Sequence, residues 1–205
     1  TVMNENYSHP AMPEGAETGI LKGLYRLSEG GRGKGKGKKA QPQIQLLGSG
    51  TILREVMAAA ELLEADWGVT AEVWSATSFN ELRREAQDVE RWNLLHPEAA
   101  PRTSHVATCL NGGSGPIVAA TDYVRAYPEQ IRAYLDRRYV TLGTDGFGRS
   151  DSREALRRFF EVDRHHIVLA ALKALADDGV LPASKAAAAI KQYGIDPDRP
   201  NPVTV

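Results

Sequence analysis

The stretch QIQLLGSGTILREVMAAAELLEADWGVTAEVWSA, residues 43–76, decides the fold class. A short apolar run ends in Gly-Ser-Gly at residues 48–50, and apolar side chains then recur at helical spacing as far as Leu63. Gly68 is placed to end that helix, and residues 71–76 form a second short apolar run. The order strand, amphipathic helix, strand predicts two parallel strands joined by a crossover helix.

The same alternation continues along the chain. Ser78 and Glu81 have the spacing of a capping box that begins a helix, and residues 123–135 are mostly helical in pattern although Pro128 interrupts them. We therefore predict an α/β fold, with a mostly parallel five-stranded sheet and helices on both faces. The five predicted strands are residues 44–47, 71–76, 105–110, 116–120 and 139–142.

The last third of the chain is predicted to be helical. Asp151 and Glu154 form a second capping box, Asp163 caps the next helix, and Ser184 begins an Ala-rich helix that ends near Tyr193.

The first forty residues differ from the rest of the chain in composition and in the spacing of their apolar residues. Residues 16–27 carry one apolar stripe and predict a helix. The tract at residues 30–39 alternates Gly with Lys and predicts a solvated, flexible connector.

Composition excludes several classes of protein. Hydrophobic residues make up 42% and charged residues 25% of the 205 residues, as in ordinary globular proteins. With a net charge of −1, the protein has no overall electrostatic field that would attract nucleic acid or a membrane surface. The single cysteine, Cys109, excludes an internal disulfide and fits a reducing cytoplasm. It lies in a predicted strand, where a buried thiol is usually inert.

The turn Gly48, Ser49, Gly50 and Thr51 is the first candidate site. It joins a predicted strand to a predicted helix, where backbone N–H groups can hold an anion. A tight strand-to-helix turn explains the same residues without a ligand. The histidines show no metal-ligand spacing, and no catalytic triad can be argued from the sequence.

The run from Gly143 to Arg153 is the second candidate site. It follows a predicted strand, at the edge where doubly wound sheets place ligands or partners. Asp145, Arg149 and Arg153 have no obvious local role, and Phe147 is expected to be exposed at the tip of the loop. We therefore hypothesise that this loop docks on another domain or subunit, with Arg149 as a charged anchor and Phe147 as an apolar one. A purely local turn is the alternative.

An ordered set of motifs across nearly the whole chain resembles the end of the bacterial, homodimeric type of pyruvate dehydrogenase E1 component. These enzymes use thiamin diphosphate and are related to transketolase. The motifs are NENY at 4–7, PAMPEG at 10–15, LLGSG at 46–50, TSFNEL at 77–82, ERWN at 90–93, LHP at 95–97 and LGTDGFGRSDSR at 142–153.

The resemblance implies a division of the chain and a set of partners. Residues 1–15 would end the pyrimidine-binding middle domain, residues 16–42 would be a connector, and residues 43–205 would form a transketolase-like C-terminal α/β domain. The full enzyme decarboxylates pyruvate with thiamin diphosphate and Mg²⁺ and passes the acetyl group to lipoyl-E2. Its partners would be the other domains of its own chain, a second E1 subunit and the E2 component, with no membrane.

The cofactor motif of that family is absent. The family holds magnesium and diphosphate with Gly-Asp-Gly followed by an Asn pair. The nearest match, Thr144-Asp145-Gly146, begins with Thr, and the chain contains no Asn-Asn pair. We therefore expect no catalytic, cofactor-binding or metal-binding residues in this chain, and no activity from it alone.

Two other function classes stay open. One is an autonomous doubly wound module that binds an anion or a nucleotide. The other is a nucleic-acid binder that uses the five basic residues between Arg32 and Lys39. That tract lacks the interleaved aromatic residues on which bases stack, so nucleic acid is not the expected partner.

Overall fold

The computed structural model describes residues 6–8, 10–30 and 41–205. Within these ranges, five strands and eight α-helices follow one another along the chain. The strands are β1 (Leu24–Ser28), β2 (Gln43–Gly48), β3 (Thr70–Ala76), β4 (Ile117–Ala120) and β5 (Tyr139–Leu142). The helices are α1 (Glu17–Leu21), α2 (Leu53–Trp67), α3 (Phe79–Leu95), α4 (His105–Leu110), α5 (Ala126–Glu129), α6 (Arg153–Phe159), α7 (Arg164–Asp177) and α8 (Ser184–Gln192).

The five strands form one sheet in the order β1-β3-β2-β4-β5. Strands β2, β3, β4 and β5 are parallel, and β1 pairs antiparallel with β3 at one edge. The predicted α/β class and mostly parallel five-stranded sheet are confirmed. Because β3 and β4 lie on opposite sides of β2, the direction in which successive strands are added reverses at β2.

Helices cover both faces of the sheet, as predicted. One face packs against α2, α7 and α8 through a core that includes Leu46, Val56 and Leu172. The other face packs against α3 and α4 through a core that includes Leu47, Leu82 and Leu110. Among the described residues, no helix is both long and apolar enough to cross a membrane.

The predicted helix over residues 16–27 is wrong in its second half. Helix α1 ends at Leu21, and Leu24–Ser28 pair with β3 as strand β1. Gly23 makes the turn between them with a φ of +94°, and a Cβ there would lie 2.5 Å from the carbonyl oxygen of Ser78. Apolar residues in so short a segment suit either a helix or an edge strand.

The predicted strand over residues 105–110 is also wrong, because these residues form helix α4. The Ser104 hydroxyl caps the helix by accepting a hydrogen bond from the backbone N–H of Ala107 at 3.4 Å. Val106 and Leu110 are four residues apart and both buried, which is the spacing of one helical face. Cys109 therefore lies on a helix, where its side chain is half-buried.

Most of the predicted helix ends are confirmed. Gly68 ends α2 in the left-handed conformation, and the side chains of Ser78 and Asp163 cap α3 and α7. At α6 the prediction is wrong by one residue: the hydroxyl of Ser152 caps the helix, while Asp151 accepts a hydrogen bond from the Ser152 backbone N–H at 2.6 Å.

The division into residues 1–15, 16–42 and 43–205 stays a prediction. Strand β1 nevertheless places part of the predicted connector in the sheet itself. Residues 31–40, which hold almost all of the Gly/Lys tract, lie outside the described residues.

A buried carboxylate joins helix α2 to the last third of the chain. Glu55 is buried and accepts hydrogen bonds from the Arg157 guanidinium at 3.1 Å, the Arg164 guanidinium at 3.0 and 3.1 Å, and the Arg164 backbone N–H at 3.0 Å. Burial alone would raise the pKa of the Glu55 carboxyl, but the hydrogen bonds and charges of Arg164 and Arg157 lower it below its usual value. This cluster therefore holds α6 and α7 against α2.

Candidate functional site

The run from Gly143 to Arg153 leaves the carboxyl end of β5 and leads into α6. It is tied to the loop after β4, because the Thr144 backbone N–H donates to the Tyr123 carbonyl at 2.9 Å and the Thr144 hydroxyl donates to the Asp122 carbonyl at 2.8 Å. Gly143 permits this approach, since a Cβ there would lie 2.6 Å from the Tyr123 carbonyl oxygen. The two loops therefore form one unit at the carboxyl edge.

Asp145 has a local structural role that the sequence did not reveal. Its carboxylate accepts hydrogen bonds from the Arg125 backbone N–H at 3.2 Å and from the Arg125 guanidinium at 2.9 Å. This ion pair bridges the loop after β4 and the loop after β5. The expectation that Asp145 lacks a local role is therefore wrong, because the partner lies on a loop distant in sequence.

The other three residues of the predicted docking loop differ in their surroundings. Phe147 is 78% exposed. The Arg149 guanidinium lies 5.0 Å from the centre of the Phe159 ring, within the domain itself. Arg153 is the first residue of α6. Phe147 thus remains a candidate anchor, while Arg149 has a contact of its own inside the domain.

A cleft of about 320 Å³ lies beside this loop, between the carboxyl end of β5 and the C-terminal residues. Its lining includes Arg125 and Arg199, and both guanidinium groups make contacts within the domain. Arg125 is paired with Asp145, and Arg199 donates to the carbonyl oxygens of Arg158 and Phe159 at 3.0 and 2.6 Å. The two guanidinium groups of the cleft are therefore held in place by the domain itself.

The turn at residues 48–51 makes contacts that oppose anion binding. The Ser49 backbone N–H donates to the Ala120 carbonyl at 3.3 Å, and the Ser49 hydroxyl donates to that of Thr121 at 2.8 Å. The Thr51 hydroxyl lies 3.4 Å from the carboxylate of Asp122. A Cβ on Gly50 would lie 3.4 Å from the same carboxylate. This carboxylate puts negative charge where an anion would sit.

Gly48 has a packing role in that turn. A Cβ at Gly48 would lie 2.6 Å from the Cα of Leu53 and 3.1 Å from a methyl group of Val56. The glycine therefore lets the first turn of α2 approach the end of β2.

A family model described as the transketolase-like TK C-terminal domain matches residues 23–163. The chain belongs to the transketolase-like C-terminal domain family. The match begins at the turn before β1 and ends at the cap of α7, so it covers the whole sheet of this transketolase-like domain.

Curated relatives resemble the transketolase-like domain along its whole length. The pyruvate dehydrogenase E1 component of Cupriavidus necator is 60% identical over 205 residues, which are 100% of this chain and 22% of the relative. The component of Pseudomonas aeruginosa is 58% identical over 99% of this chain, and that of Escherichia coli K12 is 52% identical over 98% of it; each of these matches covers 22% of the relative. The chain thus spans about a fifth of the length of these relatives.

Solved structures agree on the fold. A transketolase from Pichia stipitis in complex with sedoheptulose-7-phosphate aligns with a TM-score of 0.51 and 16% identity, over 79% of this chain and 19% of that chain. At this identity the likeness shows the fold alone.

The transketolase-like domain places Cys109 next to His105, a contact that the sequence spacing did not predict. Because residues 105–110 are helical, Cys109 and His105 lie one turn apart, and the Cys109 sulfur is 3.6 Å from Nε2 of His105. That nitrogen also lies 3.0 Å from the Leu24 carbonyl oxygen. Burial raises the pKa of the Cys109 thiol, so the thiolate needed for nucleophilic chemistry is disfavoured.

The residues of the transketolase-like domain do not fit a thiamin diphosphate–magnesium site. Asp145, the acid of the nearest motif match, is held by Arg125. Residues 6–8, 10–30 and 41–205 contain no group of three His, Cys, Asp or Glu side chains that could hold a metal ion. No catalytic step can therefore be assigned to a cofactor held by these residues.

Proposed function

We propose that this chain is the C-terminal domain of a pyruvate dehydrogenase E1 component. The observation that carries the proposal is the 60% identity to a relative of that name along all 205 residues. In this proposal the full chain decarboxylates pyruvate with thiamin diphosphate and Mg²⁺ and transfers the acetyl group to lipoyl-E2. The family match and the shared transketolase fold support the same assignment.

The role proposed for the domain itself is structural. Its partners are the remaining domains of its own chain, the second subunit of an E1 homodimer and the E2 component, all in the cytoplasm. Two observations support a non-catalytic role. The only cysteine has a raised pKa, and at the carboxyl edge Arg125 and Asp145 form an ion pair with each other.

The isolated chain is expected to bind no thiamin diphosphate. Calorimetric titration of the 205 residues with thiamin diphosphate and Mg²⁺ should give no saturable heat, because the acid of the nearest motif match is already engaged by Arg125. The full-length E1 chain, titrated under the same conditions, is the positive control. Saturable binding at micromolar cofactor by the isolated chain would contradict the structural role.

The same titration separates the alternative functions. An autonomous anion- or nucleotide-binding module should give saturable heat with phosphate or ATP at the turn of residues 48–51. The Asp122 carboxylate beside Gly50 and Thr51 favours the opposite result.

A further inference from the structure

We propose that an exposed apolar surface at the carboxyl edge of the sheet docks on the catalytic part of the domain's own E1 chain. We call it the paired-loop surface and define it by Tyr123, Val124, Tyr127 and Phe147. The inference rests on the proposed function, and it names the part of the E1 chain that this domain contacts. It differs from the sequence hypothesis because it assigns docking to apolar side chains on two loops.

The paired-loop surface is apolar and exposed. Tyr123, Val124, Tyr127 and Phe147 all belong to the exposed large hydrophobic residues of the domain, and Phe147 at 78% is among the most exposed of them. The rings of Tyr123 and Tyr127 meet edge to face with centres 5.2 Å apart. A cluster of exposed aromatic residues on neighbouring loops marks a protein interface more often than a bare surface.

The two loops are already held in place. The hydrogen bond from the Thr144 backbone N–H to the Tyr123 carbonyl and the ion pair between Arg125 and Asp145 join the two loops. Docking on a preformed surface loses less conformational entropy than docking on a flexible loop. The paired-loop surface is therefore prepared for a partner before the partner binds.

Three charged side chains of the two loops, Arg125, Asp145 and Arg149, make contacts within the domain. Asp145 holds Arg125, and the Arg149 guanidinium lies against the Phe159 ring together with that of Arg199, at 5.0 and 4.9 Å. The exposed side chains that define the paired-loop surface are largely apolar, so the matching partner surface is an apolar pocket. Arg149 is accordingly not the anchor, and Phe147 is.

Two observations identify the occupant. The chain spans 22% of the length of the E1 relatives, so about four-fifths of such a chain packs outside this domain. The first described residues also lie at the carboxyl edge, because the Arg54 side chain at the start of α2 lies 4.8 Å from the centre of the Tyr7 ring. Tyr7, among the first residues that the structure describes, therefore lies at the edge that carries the paired-loop surface.

Thiol labelling in the full-length E1 chain tests this inference. Phe147→Cys is compared with Leu94→Cys, a matched control because Leu94 is also 78% exposed and lies near the end of α3. Each variant is labelled with a maleimide in the native and the denatured enzyme, and the labelled site is located by peptide mapping. We expect native labelling of Phe147→Cys to be at least about tenfold slower than in the denatured enzyme, while Leu94→Cys labels at similar rates in both.

The contrary outcomes are distinct. Native labelling of Phe147→Cys as fast as denatured labelling, in an enzyme that turns over pyruvate, overturns the docking inference alone. Protection that disappears when the subunits dissociate assigns the surface to the second subunit, and protection that needs added E2 assigns it to that component; both overturn the inference as stated. An E1 chain without pyruvate turnover overturns the proposed function, and this inference with it.

Discussion

Replacing Glu55 with glutamine is expected to lower the free energy of unfolding by about 3 kcal/mol, as when one partner of a buried ion pair is removed. The Glu55 carboxylate is the shared acceptor of Arg157 and Arg164, and it also accepts the backbone N–H of Arg164. A neutral amide of the same shape leaves two guanidinium groups without their counter-charge. The loss of the counter-charge costs more free energy at Arg157, because its side chain is less exposed than that of Arg164.

The same substitution should change the pH dependence of stability. The pKa of Glu55 is lowered in the folded domain from a usual value of 4.5. A lowered folded pKa contributes stability that is present above the unfolded pKa and is lost as the pH falls through the folded pKa. Glu55→Gln should therefore have its full destabilising effect near neutral pH, and the difference from the wild type should shrink as the pH falls below 4.5 and through the lowered pKa of the folded domain.

Urea unfolding at several pH values measures both effects. Glu81→Gln is the matched control, since Glu81 forms an exposed ion pair with Arg84 on α3 and exposed pairs contribute little to stability. A Glu55→Gln variant as stable as Glu81→Gln at neutral pH would show that the cluster does not hold α6 and α7 against α2.

Replacing Gly48 with alanine is expected to cost about 2–3 kcal/mol, the size of other overpacking substitutions in well-packed cores. The added methyl group would lie 2.6 Å from the Cα of Leu53. That atom belongs to the backbone, so relief requires α2 to move away from the end of β2. Such a movement also disturbs the packing of Ile52 and Val56 in the core.

Thermal and urea unfolding of the variant measure this cost. Gly112→Ala is the control, because a Cβ there meets no atom within 4 Å. Equal stability of the two variants would mean that the strand-to-helix turn tolerates a side chain, and the close packing assigned to Gly48 would be wrong.

The parts of the fold predicted from the sequence are those that local pattern determines. Gly68 and Ser78 end and begin helices through their own backbone and side chain, so the neighbouring sequence was enough to place them. The strand at residues 24–28 and the helix at residues 105–110 were missed for the opposite reason. Short apolar segments suit either structure, and pairing with β3 or packing under the sheet decides between them.

In the candidate sites too, local sequence pattern predicted some features, while others depend on contacts between distant segments. Phe147 was predicted as an apolar anchor because it lies in a glycine-rich loop, and its side chain is 78% exposed. The sequence alone does not predict the ion pair between Asp145 and Arg125, because that contact depends on two loops meeting at one edge of the sheet. Tyr123 and Tyr127 were counted toward a helical pattern, which predicts burial for some apolar residues. Their exposure depends on the broken helix that surrounds Pro128.

A chimeric enzyme tests most directly whether this chain is the structural domain of a pyruvate dehydrogenase E1 component. The 205 matched residues of the Cupriavidus necator E1 component, 60% identical to this chain, are replaced by it, and thiamin-dependent turnover of pyruvate is measured beside the parent enzyme. We expect the chimera to turn over pyruvate at the parent's order of magnitude, and the isolated chain to show no turnover. A chimera that matches the parent in thermal unfolding and subunit assembly but lacks turnover would contradict the assignment.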